Sequence, residues 1–310
     1  MRRGTGLLLA ACVILVLAAA VQVWRQSPRP PAPAASPAPA AAAAVATPAP
    51  AIPKAVASPV PPPAAAPPAV NATADRVAEL ERRAATGDAE AAGELGGIIG
   101  TCRHYSPIST QNIEETVVDG MAAGVDAPLI AGSPVSPELL VLVLQQGQPE
   151  LDRRCAGIDR DQLSGKLSRV PALLERAADA GQVQAMLDYP RQAFAGFGGT
   201  ARMLAEADEV ARRKTKARAY LREALRRGEA RALLLLGDAY ASGPLEKVDP
   251  LLAYAHVGAF FQTPAGQEWS PRLRELYLQV LAQHLDAPQL ERARQQAMQI
   301  YRDFQSGTSP

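Results

Sequence analysis

Ala217–Tyr254 reads ARAYLREALRRGEARALLLLGDAYASGPLEKVDPLLAY. The stretch predicts helix, tight glycine turn, helix, loop, helix. Gly228 is followed by Ala232 at plus four, Leu236 at plus eight and Gly237 at plus nine. Residues four and eight apart share a helical face. Ala and Gly on that face let a neighbouring helix come close, while the leucines fill the contact. Gly228 stands where the chain must turn sharply, which suits a residue free to take positive φ. Asp249-Pro250 predicts a capping carboxylate followed by a first-turn proline.

Two other stretches share this spacing. Gly87 is followed by Ala91, Leu95 and Gly96, and Gly181 by Ala185, Tyr189 and Pro190. Ala84-Ala85, Ala177-Ala178 and Ala224-Leu225 precede the three glycines. Recurrent helix–turn–helix units with small-residue contacts predict an all-α solenoid. The pattern resembles the Sel-one-like repeat (SLR), a relative of the tetratricopeptide repeat. The third unit carries the resemblance furthest, with Ala232, Leu236 and Gly237, Gly243 in the loop, then Asp249, Ala253 and Tyr254. The second unit departs from it: Tyr189-Pro190 replaces Leu-Gly, so its helix is expected to end or kink there. The turn glycines are 94 and 47 residues apart, longer than the family's repeat, which requires insertions. The resemblance implies protein–protein interaction, often as an adaptor in envelope complexes, with the concave side of the stack as the binding surface.

The 310 residues divide unevenly. Residues 1–70 hold five basic side chains and no acidic one, leaving 27 basic against 31 acidic in the remainder, a net charge of about −4. That balance does not favour nucleic acid, which is not expected as a partner. Residues 1–5 carry Arg2 and Arg3. Residues 6–25 hold the expected span, uncharged from 6 to 24 and bounded by Trp24-Arg25. Its length is close to the roughly 20 residues that cross a bilayer as a helix. Basic residues ahead of it predict a single-pass signal anchor in the inner membrane, N-terminus cytoplasmic and the remainder periplasmic. A cleaved signal peptide ending at Ala18-Ala19-Ala20 is the competing reading. Leu9-Ala10-Ala11-Cys12 resembles a lipoprotein box, but only about five apolar residues precede the cysteine, against the roughly 7–15 expected.

Residues 26–70 form a Pro/Ala linker, with fifteen prolines among the 44 positions from 27 to 70. This composition predicts polyproline II or disorder. Fully extended, it would reach roughly 135 Å at about 3.1 Å per residue. Folding is expected to begin at residue 71 and to continue to 310. The first helix is predicted over Thr73–Ala85, with Val77 and Leu80 buried.

Residues 102–168 do not fit the repeat and predict an insertion of two or three helices. Its clearest helix has Ser136 as cap, Pro137 in the first turn and an apolar run from Leu139 to Leu144, stopped by Gly147. Cys102 and Cys155 bracket the insertion. In an exported domain an even pair predicts a disulfide closing a loop of about 54 residues; two buried thiols are the alternative. Cys102 and Cys155 with His104 would make three zinc ligands, without a standard spacing or a fourth ligand.

Two surfaces are candidates for a partner. Phe194 and Phe197 lie in a glycine-rich loop, where they either meet a partner or fold back onto the core. Arg218, Arg222 and Arg226 share a stripe at i, i+4 spacing on a charged helix from Glu206 to Arg231. They predict either a basic surface for an acidic partner or a solvated face. The chain ends on a helix from Asp286, with Ala293 and Ala297 inward, suited to capping a repeat array.

The sequence holds no nucleophile elbow, phosphate loop or H-E-x-x-H. No catalytic, cofactor-binding or metal residue is assigned, and neither enzymatic activity nor a cofactor is expected. The chain reads as a membrane-anchored interaction module whose partners are envelope proteins. An envelope polymer-binding protein or hydrolase, and a mechanical spacer across the periplasm, are the alternatives.

Overall fold

The computed structural model describes residues 70–103, 105, 107–108, 112–243 and 245–307, with side chains from 76 onward. The expected anchor, the linker up to residue 69 and His104 lie outside the described residues. Among the described residues, no helix is long and apolar enough to cross a membrane.

The described residues are mainly helical. Helix α1 (Val70–Ala85) leads through a turn at Gly87 into α2 (Ala89–Cys102). Asp88 caps α2 by accepting from the Glu90 and Ala91 amides. After the insertion, α5 (Val170–Asp179) turns at Gly181 into α6 (Val183–Gln192). Then α7 (Thr200–Ala205) and α8 (Ala207–Arg226) precede the Gly228 turn into α9 (Arg231–Ser242). Gly87, Gly181 and Gly228 have φ of 98°, 91° and 77°, the left-handed region in which a side chain would be strained. Helix α10 (Pro250–Gln262), the short α11 (Pro264–Gln267), α12 (Pro271–Ala282) and α13 (Ala287–Gln305) complete the chain. Asp249 caps α10 through the Leu252 amide, with Pro250 in its first turn.

The helices pack largely in sequence order. Helix α1 lies on α2, α2 on α5, α5 on α6, α6 on α8, α9 on α10 and α10 on α13. One contiguous core runs through them from Val77 to Ala293. Small residues set the closest approaches. Ala91, Ala232 and Ala253 are fully buried and Ala185 nearly so. A Cβ at Gly96 would stand 2.9 Å from Leu174 Cγ, and one at Gly237 only 2.5 Å from Val257 Cγ2. The Gly237 Cβ would also meet two backbone atoms at 3.2 Å. Gly237→Ala is therefore expected to destabilise the fold by about 1 kcal/mol or more, despite alanine's helix propensity. Gly120→Ala is expected to stabilise it by about 0.5–1 kcal/mol, because no atom of the described residues lies within 4 Å of a Cβ there. Urea unfolding of both variants should show opposite signs.

Helix α6 passes through Pro190 and stops two residues later at Gln192, shorter at 10 residues than α2 at 14 and α9 at 12. Two expectations are corrected. Gly147 does not stop the insertion's main helix: α4 runs from Pro137 to Cys155 through both Gly147 and Pro149. Burial of Gln148, Leu151 and Cys155 on one side holds that last stretch, so tertiary packing overrides the weak local propensity. The charged helix α8 ends at Arg226, and Arg231 already belongs to α9.

The insertion also contains α3 (Ile113–Ala122) and a two-residue antiparallel ladder, β1 (Leu129–Ile130) with β2 (Ser133–Pro134). Ala131 and Gly132 form its turn, both at positive φ. Helix α4 rests on α2 at one end and on α12 at the other. Cys102 and Cys155 form a disulfide between the ends of α2 and α4, with Cα atoms 5.4 Å apart. At the other end Arg272 holds Glu138 through two bonds of 2.7 and 2.8 Å. Ser133 hydrogen-bonds His284 at 2.8 Å. The insertion thus ties the first helices to the last ones rather than looping into solvent.

Candidate functional site

Helix α8 carries the arginine stripe, but its long-range neighbours neutralise most of its charge. Arg212 reaches Glu175 at 2.9 Å and Glu209 at 2.7 Å. Arg213 reaches Glu209 at 2.6 Å, and Lys216 reaches Asp179 at 2.9 Å. These arginines hold the Glu209 carboxyl down at about 2. The stripe itself divides into three environments. Arg218 is saturated by Glu246 at 2.6 and 2.9 Å and by the Leu245 carbonyl at 2.7 Å. Arg226 pairs with Glu223, one turn back on its own helix. Arg222 is exposed and makes no hydrogen bond or ion pair among the described residues.

Arg218 and Arg222 stand at the mouth of a cleft of about 430 Å³ enclosed by α8, α9, α10 and α13. That volume lies in the range of small-ligand pockets. Its floor is aliphatic, built from Leu225, Leu233, Leu236 and Ile300. Leu236 occupies the position in its unit that Leu95 holds in the first. Leu95 is wholly buried, whereas Leu236 is half-buried and open to the cleft. Tyr240, one turn further along α9, stacks on His256 from α10, with ring centres 5.5 Å apart and planes 13° apart. Gln296, Gln299 and Asp303 of α13 form the facing wall. Helix α13 is held against α10 by Ala293 and Ala297, both buried.

Burial pushes His256 down to about 4, so its imidazole is neutral at pH 7. Its Nδ1 is sealed from solvent and has no partner among the described residues. An unfolded histidine titrates near 6.5. Between about pH 6.5 and 4 the unfolded chain takes up a proton that the folded chain refuses. The stability contributed by neutral His256 is therefore complete above 6.5 and falls as the pH drops towards 4. Exchanging His256 for Phe, which keeps the stack on Tyr240, is expected to flatten that slope. Paired urea unfolding of both proteins at pH 7 and 4.5 measures the difference.

A second cleft, of about 290 Å³, opens between α1, α2, α4 and α6. Its charges answer one another: Arg76 pairs with Glu94, and Arg154 stands 3.9 Å from the largely buried Asp188. A Cβ at Gly97 would come within 3.4 Å of Asp188 Oδ2. Arg154 thus ties α4 to α6, and through Thr101 Oγ1 at 3.5 Å to α2.

The other sequence candidates lie elsewhere. Phe197 is buried with the Arg213 guanidinium 4.7 Å from its ring centre, and Phe194 packs half-buried on the core. The pair does not form an exposed contact surface. Cys102 and Cys155 are consumed by their disulfide, which removes them as zinc ligands. Among the described residues, no three of His, Cys, Asp and Glu are grouped to hold a metal ion. Tyr240, His256 and the α13 glutamines were not anticipated. The available signal was Tyr240 standing four residues after Leu236, on the same helical face. In comparisons with known proteins, neither a family model nor a curated protein matches the chain.

Proposed function

We propose that the chain is a membrane-tethered adaptor of the cell envelope. In this reading one N-terminal span leaves the N-terminus in the cytoplasm, and the Pro/Ala tether carries an SLR-like helical repeat domain into the periplasm. The domain captures a protein partner without turnover and without a cofactor. Support comes from the three helix–glycine–helix turns and from the sequential helix packing, the arrangement of repeat scaffolds. The disulfide fits an oxidising compartment. The observation that carries the reading is the open cleft beneath Arg222, a cation unpaired among the described residues and standing over an aliphatic floor at the C-terminal end of the stack.

The partner surface in this reading is that cleft and not the face along α2 and α6. There the insertion helix α4 is pinned by the disulfide and by Arg154, leaving less room for a partner. Crosslinking of the full-length protein in its native envelope is the test. One dominant envelope protein, lost when residues 71–310 are deleted, is the expected result. Co-purifying glycan or lipid with no protein partner would overturn the adaptor reading in favour of an envelope-polymer binder. If shortening residues 27–70 abolished function while the captured partner proved dispensable, the chain would act as a spacer.

A further inference from the structure

We infer that the C-terminal cleft binds a peptide segment of a protein partner in which one carboxylate stands beside a branched or aromatic apolar side chain. The inference rests on the adaptor reading and names its ligand. Charge complementarity gives the first half. Of the two arginines at the mouth, Arg218 already has three acceptors from Glu246 and Leu245, so one guanidinium remains to receive a carboxylate. Arg222 presents a planar fork suited to bidentate pairing.

The floor gives the second half. Leu225, Leu233, Leu236 and Ile300 form an aliphatic pit that an apolar side chain fills, removing both surfaces from water. The Tyr240–His256 stack makes a flat flank for it. His256 also supplies a polar contact. Its Nδ1 is sealed and has no partner among the described residues, and a bare lone pair is cheaper to bury than an orphaned N–H. The neutral ring therefore carries its proton on Nε2, where it donates to a peptide carbonyl. The Gln296 amide on the facing wall offers both donor and acceptor to an extended backbone.

The same wall argues against a polyanion. Asp303 stands there, accepting from Gln299 at 2.6 Å, and most of the α8 cations are already paired. A phosphate- or uronate-rich polymer needs a row of open cations, and the mouth has one among the described residues.

The test is selection from a phage-displayed library of random peptides on the full chain in nanodiscs. The best peptide is then titrated by fluorescence anisotropy. Enriched sequences are expected to place Asp or Glu within a residue or two of Leu, Ile, Val or Phe. Arg222→Glu is expected to weaken the best peptide by more than about tenfold, the scale of a lost and reversed charge-assisted contact. Arg226→Glu, on the same helix but outside the cleft, should leave it unchanged. Enrichment of basic or uncharged sequences, no enrichment, or equal binding to Arg222→Glu overturns the inference. If the native envelope partner is still captured by Arg222→Glu, the adaptor reading stands and this cleft is not its site.

Discussion

Replacing both Cys102 and Cys155 with alanine is expected to lower the stability of the folded domain by about 4 kcal/mol, the chain-entropy value for a loop of this length. The two cysteines are 53 positions apart and both are buried. Alanine is the informative exchange, because a serine hydroxyl at either site would add an unsatisfied polar group. For a domain of this size, about 4 kcal/mol corresponds to a melting point lowered by roughly 8–16 °C. The consequence is not confined to the loop. The disulfide fixes the C-terminal end of α4, whose other end reaches α12 through Glu138 and Arg272. Loss of the cross-link should expose amides of α3 and α4 to hydrogen exchange before those of α9 and α10. A loss below about 1 kcal/mol would mean that packing of Leu139, Leu144 and Leu151 holds the insertion by itself, and that the loop-entropy account fails here.

The turns were the legible part of this chain, because their cause is local. A glycine between two amphipathic helices announces positive φ, and Gly87, Gly181 and Gly228 all adopt it. Close approach at Gly96 and Gly237 was legible for a similar reason, since small residues at helical spacing mark a contact face. What the sequence misrepresented depended on distant residues. The stripe of Arg218, Arg222 and Arg226 reads as open to a partner or to water, because Glu246, which takes up Arg218, belongs to another segment. Gly147 looked like a helix end, because the burial that overrides it comes from elsewhere in the fold. The cleft was invisible for the strongest reason. Four helices must meet before Leu236, Tyr240 and His256 share a wall with α13, and no window of sequence holds that juxtaposition.

Truncating Phe260 to alanine is expected to destabilise the domain by about 3–5 kcal/mol, the range for a fully buried aromatic. Phe260 is wholly buried on α10, the helix that α9, α12 and α13 all pack against. Its ring lies 5.5 Å from Phe261 and 5.9 Å from Trp269, the latter edge-on at 79°. Phe261 and Trp269 in turn meet Tyr277 of α12 at 6.1 and 6.3 Å. Removing Phe260 thus opens a cavity and strips aromatic contacts from the remaining rings. Trp269 is a built-in reporter, being buried beside the lost ring; its emission should shift to the red and broaden in native buffer. Phe260→Leu, which keeps most of the volume, should lose less than half as much. Helix α10 also carries His256 one turn before Phe260, on the same face. The truncation should therefore weaken peptide binding in the cleft as well as lower stability. Arg222→Glu should weaken binding with stability unchanged. That separation is decisive for the cleft: a shared core explains the first pattern, and only direct contact with the ligand explains the second. If Phe260→Ala left both the melting point and Trp269 emission as they were, α10 would not be the hub on which the C-terminal helices are assembled.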